Sequence, residues 1–114
     1  MFPDAIAMGG YPIDIHSPDG GSMQHCHLRP GSWYSVPYRC LLTNEVDNLI
    51  VAGRSISVER PVLGPIRVMA PCIAMGEAAG YATKLALDAG TLYKNINIKL
   101  LKETIICKGG KYIT

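Results

Sequence analysis

Residues 48–90 place the strongest constraint on how this chain can fold. The apolar run Leu49-Ile50-Val51-Ala52 ends at Gly53, and such a run predicts a short strand buried on both faces, as in a parallel sheet. The next fourteen residues, 54–67, contain two prolines and a glycine and are predicted to be irregular. A helix follows this loop, so we predict a strand–loop–helix unit of the α/β class.

The helix is predicted over residues 72–89, with Pro71 in its first turn and Gly90 as its C-cap. Small residues line it, and Gly76 and Gly80 lie four apart on one face. Each interior glycine costs about 1 kcal/mol relative to alanine. We therefore expect a strand, another helix or a flat ligand to approach the backbone closely, although tight helix–sheet packing alone explains the glycines equally well.

The first 47 residues are rich in turns and are predicted to form two extended segments. Tyr11–His16 alternates apolar and polar side chains, which is typical of a half-buried strand. Trp33–Leu42 is the second extended segment, and Pro37 favours an edge strand or a bend there. We therefore expect residues 1–47 to form a first, β-rich segment.

The last 24 residues, 91–114, are predicted to form a short amphipathic helix and a tail. The helix should span about Ile98–Cys107, with Ile98, Leu101 and Ile105 on one side. Gly109-Gly110 would end it, and Tyr112-Ile113 would begin a strand. The predicted units are therefore residues 1–47, 48–90 and 91–114.

Composition limits the possible functions of the chain. Its 114 residues are too few to enclose both a dinucleotide and a substrate, and 12 Gly with 8 Pro indicate many loops. A net charge of +2 does not favour a nucleic-acid partner, and no apolar run reaches the roughly 20 residues of a membrane span. The four cysteines form no CxxC pair, so we expect reduced thiols, a cytoplasmic protein and no zinc ribbon.

The predicted unit also indicates where a ligand would bind. In open α/β sheets, ligands bind beyond the carboxyl ends of the strands, which here means Gly53, Arg54, Ser55 and the loop to Arg67. The start of the following helix, around Met69–Cys72, presents free N–H groups and a partial positive charge. Arg54 and Arg67 would reinforce this positive charge. The alternative is that both arginines form surface ion pairs, with Glu59 and Asp47 as candidate partners.

The three histidines give weaker signals. His16 follows Asp14 on the same face of the predicted strand, so the two are either an acid–base pair or a polar strand face. His25-Cys26-His27 contains metal-binding side chains, but this spacing matches no common structural zinc pattern. We therefore predict no metal site.

Several ordered blocks resemble the C-terminal flavin-contacting segment of FAD-dependent oxidoreductases with a glutathione-reductase-like FAD domain. They cover most of residues 4–90, in the order Asp4–His16, Val36–Leu41, Asn48–Arg54, Ile66–Met69, Cys72 and Ala74–Gly80. The resemblance implies a partial FAD-binding domain (the buried strand–loop–helix of residues 48–90) with flanking strands from a substrate domain. Residues 1–47 would then be the end of a substrate-side β segment.

The same resemblance implies roles for individual residues. The strand end would bring its backbone to the ribityl-pyrophosphate, and the helix start would face the N1–C2=O edge of the isoalloxazine ring, where a positive helix end stabilises negative charge. His16 and Arg67 are the implied catalytic groups, and His16 and Tyr11 would face a small-molecule substrate. The implied FAD-binding residues are Ala52, Gly53, Arg54, Ser55, Arg67, Val68, Met69, Cys72 and Gly76.

Two departures from the family pattern limit these implications. Val58-Glu59-Arg60-Pro61-Val62 stands where the family often has a threonine-histidine-glutamate sequence, and no G-x-G-x-x-G occurs in the chain. We therefore expect the C-terminal piece of a longer enzyme, with the missing N-terminal part as its partner, little FAD binding alone, and exposed apolar faces on residues 49–52 and 72–89. The alternatives are a non-catalytic α/β module or a His/Cys metal-binding protein.

Overall fold

The computed structural model describes residues 1–15, 19–21 and 24–110, apart from the side chains of Gln24 and His25. Helices and strands are both present, in agreement with the predicted α/β class. The described strands are β1 (Ala5–Gly9), β2 (Ile13–Ile15), β3 (Gln24–Cys26) and β4 (Tyr34–Pro37). The α-helices are α1 (Arg60–Ile66), α2 (Met69–Ala89) and α3 (Ile98–Cys107), and short 3-10 turns cover Tyr38–Leu41, Gly53–Ser55 and Tyr93–Asn95.

The described strands form two small antiparallel sheets. β1 pairs with β4, with Ala7 opposite Val36 and Gly9 opposite Tyr34, and a bulge interrupts the register between Ala5 and Ala7. β2 pairs with β3, with Ile13 opposite Cys26. Every described strand thus has one described neighbour, so β4 is an edge strand. Pro37 lies at its end, a position that suits a residue without an N–H donor.

Helix α2 is the centre of the core. It buries Pro71, Met75, Ala78, Ala82 and Ala86, whose spacing of three and four residues places them on one face. The alanines on this face allow α2 to pack closely on β1, whose Ile6 and Ala7 belong to the same buried cluster. α3 packs against α2 and adds Leu101 and Ile105 to the same cluster. One apolar core therefore joins the first strand to the last helix.

The two longer helices confirm the sequence-based prediction. α2 ends before Gly90, as predicted, and begins at Met69, with Pro71 in the first turn. α3 spans the predicted Ile98–Cys107, and the Asn97 side chain caps it by accepting a hydrogen bond from the Leu100 amide at 3.1 Å. The predicted strand at Tyr112-Ile113 lies outside the described residues.

Three predicted segments require correction. The apolar run 49–52 is not a strand buried on both faces: Leu49 is 44% exposed, and Ile50 forms only a single bridge with Leu42. Ile50, Val51 and Ala52 are only partly buried against the core. Residues 54–67 are not irregular throughout, because they contain the helix α1. The extended segment 33–42 ends at Pro37, where the chain turns into a 3-10 helix.

The outer face of α2 exposes apolar side chains, as predicted, alongside the charged residues Glu77, Lys84 and Asp88. Met69 is 80% and Ile73 71% exposed, and no described atom lies within 4 Å of the Cβ positions at Gly76 and Gly80. Helix–sheet packing therefore does not account for these two glycines in the described part of the chain.

No single helix described here is long and apolar enough to cross a membrane, whereas α1 and α2 together, bent by 93°, meet the length and composition required.

Candidate functional site

A groove of about 600 Å³ lies at the corner between α1 and α2. Its walls come from β2, from the 3-10 turn at Gly53–Ser55, from α1 and from the start of α2. The lining residues are Asp14, Arg54, Leu63, Arg67, Val68 and Met69. The groove thus combines two guanidinium groups with an apolar wall.

The corner depends on a close approach of α1 to β2. A Cβ atom at Gly64 would lie 3.0 Å from Cγ1 of Ile15 and 3.4 Å from the backbone N and O of Asp14. Glycine is therefore the residue that fits here without displacing β2. α1 ends at Ile66, and α2 leaves at 93° after the two linking residues Arg67 and Val68. This bend presents Arg67 and the start of α2 to the same space.

The N-terminus of α2 carries an uncompensated positive end. Val68 is the N-cap residue, but its side chain forms no capping hydrogen bond, and no acidic residue lies in the first turn. The N–H groups of Met69 and Ala70 have no intrahelical acceptor, because they precede the first helical hydrogen bonds. Together with Arg54 and Arg67, this helix end favours a negatively charged ligand group.

Asp14 ties one of these arginines to β2. Its Oδ1 atom is buried, has no hydrogen-bond partner and lies 3.7 Å from Nη2 of Arg67. Its Oδ2 atom accepts a hydrogen bond of 3.1 Å from the Tyr11 hydroxyl. This hydrogen bond and the negative charge of Asp14 raise the pKa of Tyr11 above its ordinary value. The Asp14 carboxylate therefore positions both Tyr11 and Arg67.

Replacing Asp14 by Asn is expected to lower the pKa of Tyr11, because a neutral amide no longer disfavours the phenolate. An absorbance titration, corrected with a Tyr11→Phe variant, isolates the ionisation of Tyr11. Asp88→Asn is the matched control, since Asp88 pairs with Lys84 at the other end of α2. An unchanged or higher Tyr11 pKa in Asp14→Asn would contradict this role of Asp14.

Four of the predicted cofactor-binding residues meet in the groove: Arg54, Arg67, Val68 and Met69. The others do not line it. Cys72 lies behind the corner, where its thiol is 3.6 Å from the Ile66 carbonyl oxygen. Ala52 packs against the core, Ser55 lines a separate surface hollow, and Gly76 is exposed on the outer face of α2.

Gly53 holds the turn that presents Arg54. Its φ of +72° lies in the left-handed region, which favours glycine over other residues. A Cβ atom here would also lie 3.8 Å from Sγ of Cys72. The backbone at Gly53 thus passes close to the start of α2, which brings Arg54 to the groove.

The ion pairs differ from those considered from the sequence. Arg67 pairs with Asp14 rather than with Glu59 or Asp47, and Asp47 pairs with Lys94 at 2.6 Å. Arg54 makes no ion pair with any described residue. Its charge therefore remains available to a ligand in the groove.

The predicted catalytic His16 lies outside the described residues, as does the side chain of His25. Among the residues that the structure describes, no group of three His, Cys, Asp or Glu side chains could hold a metal ion. All four cysteines are free thiols. The described part of the site thus consists of cationic, carboxylate and apolar groups.

Comparison with known families identifies the chain. The sequence profile described as FAD dependent oxidoreductase matches residues 1–105. The chain belongs to the FAD-dependent oxidoreductase family. No curated protein and no solved structure gives a significant match. The cofactor is FAD, and the family is one of oxidoreductase enzymes.

The groove combines positive charge with apolar surface, and Asp14 offsets part of the charge of Arg67. FAD joins a negatively charged pyrophosphate to a flat, largely apolar ring system. Arg54, Arg67 and the uncapped start of α2 offer positive charge, whereas Val68 and the 80% exposed Met69 offer apolar surface. The described residues of this oxidoreductase therefore fit FAD.

Proposed function

We propose that the groove is the wall of the FAD site that lies beside the isoalloxazine ring and ribityl chain. The observation that carries this proposal is the convergence of Arg67, Arg54 and the uncapped N-terminus of α2 on one space with an apolar side. The family match identifies FAD as the cofactor. The positive end of α2 is the reason for placing the edge of the ring that becomes negatively charged at the start of this helix.

Each residue has a distinct task in this proposal. The amides of Met69 and Ala70 and the guanidinium of Arg67 stabilise negative charge at the N1–C2=O edge of the ring. The turn at Gly53–Ser55 that presents Arg54 would hold the ribityl-pyrophosphate, and the Arg54 guanidinium would offset the phosphate charge. Bound FAD supplies the hydride or electron transfer itself. Arg67, with His16 on the substrate side, carries the catalytic role toward a small-molecule substrate.

We further propose that the chain acts as the C-terminal part of a longer enzyme with a glutathione-reductase-like FAD domain. Two observations support this. The chain has no G-x-G-x-x-G to bind the pyrophosphate. The outer face of α2 exposes Met69 and Ile73 in the turns before the open glycines Gly76 and Gly80, and exposed apolar surface of this kind is typical of an interaction surface. Its partner is the phosphate-binding part of the same enzyme.

The proposal predicts a difference between the complete enzyme and this chain. The complete protein should absorb at about 450 nm and release one FAD per chain when denatured. The 114-residue chain should bind FAD at least about tenfold more weakly, because it offers only one wall of the site. A complete protein that takes up no FAD would reject the flavin site. Equal affinity in both forms would reject only the division of the site between two parts.

A further inference from the structure

A second cavity lies on the other side of α1 from the groove. Its volume is about 440 Å³, within the range of small-molecule sites, which runs from about 300 to 1,000 Å³. β4 forms one wall, α1 another, and Phe2 and Tyr11 stand at its sides. No described residue lines both this cavity and the groove.

The walls of this cavity are largely apolar and aromatic. Phe2, Tyr11 and Tyr34 contribute rings, and Val36, Val62 and Ile66 contribute aliphatic surface. Phe2 and Val62 are 46% and 42% exposed, so apolar surface reaches the mouth. Rings of this kind give large contact areas and favour other rings through edge-to-face or offset stacking. The cavity thus favours an aromatic ligand.

The main polar groups in the walls already have partners. The Tyr34 hydroxyl donates to the Pro65 carbonyl oxygen at 2.7 Å, and the Tyr11 hydroxyl donates to Asp14. The Arg39 guanidinium pairs with Asp4 and lies over the Phe2 ring, with Cζ 4.7 Å from the ring centroid. Burial also raises the pKa of the Cys40 thiol, which keeps it uncharged.

Charge therefore provides little recognition in this cavity. The remaining ionic group in its lining, Glu59, is exposed at the edge and would repel an anion. A charged ligand would lose its hydration on entering the cavity. The described inner wall offers no unpaired charge of opposite sign to compensate for that loss. An uncharged ligand meets no such penalty and gains from burial of its apolar area.

We propose that this cavity is a binding site for an uncharged aromatic small molecule, separate from the flavin groove. The site does not depend on the proposed flavin function, because it shares no lining residue with the groove. Tyr11 gives it a connection to that groove, since its ring lines the cavity while its hydroxyl binds Asp14.

The test uses N-phenyl-1-naphthylamine, a neutral aromatic probe whose fluorescence rises in apolar sites, with the 114-residue protein. We expect one probe per chain. Val62→Trp fills the mouth of the cavity and should weaken binding at least about tenfold. Val46→Trp is the matched control, because Val46 is 43% exposed and does not line the cavity. Circular dichroism checks that both variants keep their helices.

A second pair of variants tests the aromatic wall. Phe2→Ala should weaken probe binding about tenfold by removing ring contact. Trp33→Ala should leave it unchanged, since Trp33 is an exposed aromatic residue outside this cavity. Ile73→Glu tests for adsorption to the outer face of α2 and should also have no effect. Three results would overturn the proposal. The first is that the probe does not bind, and the second is that Val62→Trp and Val46→Trp lose equal probe affinity. The third is that only Ile73→Glu loses probe affinity.

Discussion

Replacing Leu101 by Ala is expected to lower the free energy of unfolding by about 2–5 kcal/mol. Leu101 is fully buried in α3, within the cluster that includes Ile6 of β1 and Met75 of α2. Truncation removes apolar contacts and leaves a cavity where the last helix meets the rest of the core. The measurement is urea unfolding of the 114-residue protein followed by circular dichroism.

Leu100→Ala is the matched control for this prediction. Leu100 is the preceding residue of the same helix, with the same side chain, but it is 45% exposed. We expect its truncation to cost less than about 1 kcal/mol, because surface substitutions have small effects. Equal losses at Leu100 and Leu101 would contradict the placement of α3 on the core.

The helices were the most predictable part of the fold. α2 and α3 carry their own signals: apolar residues at helical spacing, Pro71 near one start, and glycines after both ends. These signals are local, so they do not depend on what the helices pack against. The sequence alone therefore located both helices to within a few residues.

The strands were less predictable, because a strand depends on its neighbours. β1 was not identified as a strand, although its Ala5, Ile6 and Ala7 are buried. The run at 49–52 has the composition of a buried strand, but the described residues provide only the bridge to Leu42. Apolar composition indicates burial, whereas pairing is a non-local property.

The groove was predicted in part. The family resemblance and the spacing pointed to Arg54, Arg67, Val68 and Met69, which do lie together. α1 was missed because Gly64 and Pro65 disfavour a helix, and tertiary packing against β2 outweighs that preference. Leu63, which lines the groove from α1, was missed for the same reason. Asp14 was noted beside His16, but its contact with Arg67 spans 53 residues of sequence and carried no local signal.

The second large effect is expected at Arg67. Arg67→Gln removes the positive charge but keeps a long polar side chain beside Asp14, which limits the structural disturbance. Hydrogen bonds to charged groups contribute about 1.5–3 kcal/mol, so FAD binding in the complete enzyme should weaken about 10- to 100-fold. Loss of the charge should also make the bound flavin harder to reduce, which lowers its midpoint potential.

Arg60→Gln is the matched control for Arg67→Gln. Arg60 is the same residue type at the other end of α1, and it does not line the groove. Its replacement should leave both the FAD affinity and the midpoint potential near the unmodified values. Comparable losses in both variants would indicate a general electrostatic effect rather than a contact at the corner of α1 and α2.

The dissociation constant of FAD for the Arg67→Gln enzyme, measured beside that for Arg60→Gln, tests the central claim most directly. If the groove between α1 and α2 is a wall of the flavin site, the constant rises about 10- to 100-fold for Arg67→Gln and stays unchanged for Arg60→Gln. An unchanged constant for Arg67→Gln, in an enzyme that binds FAD normally, would contradict the placement of FAD in this groove.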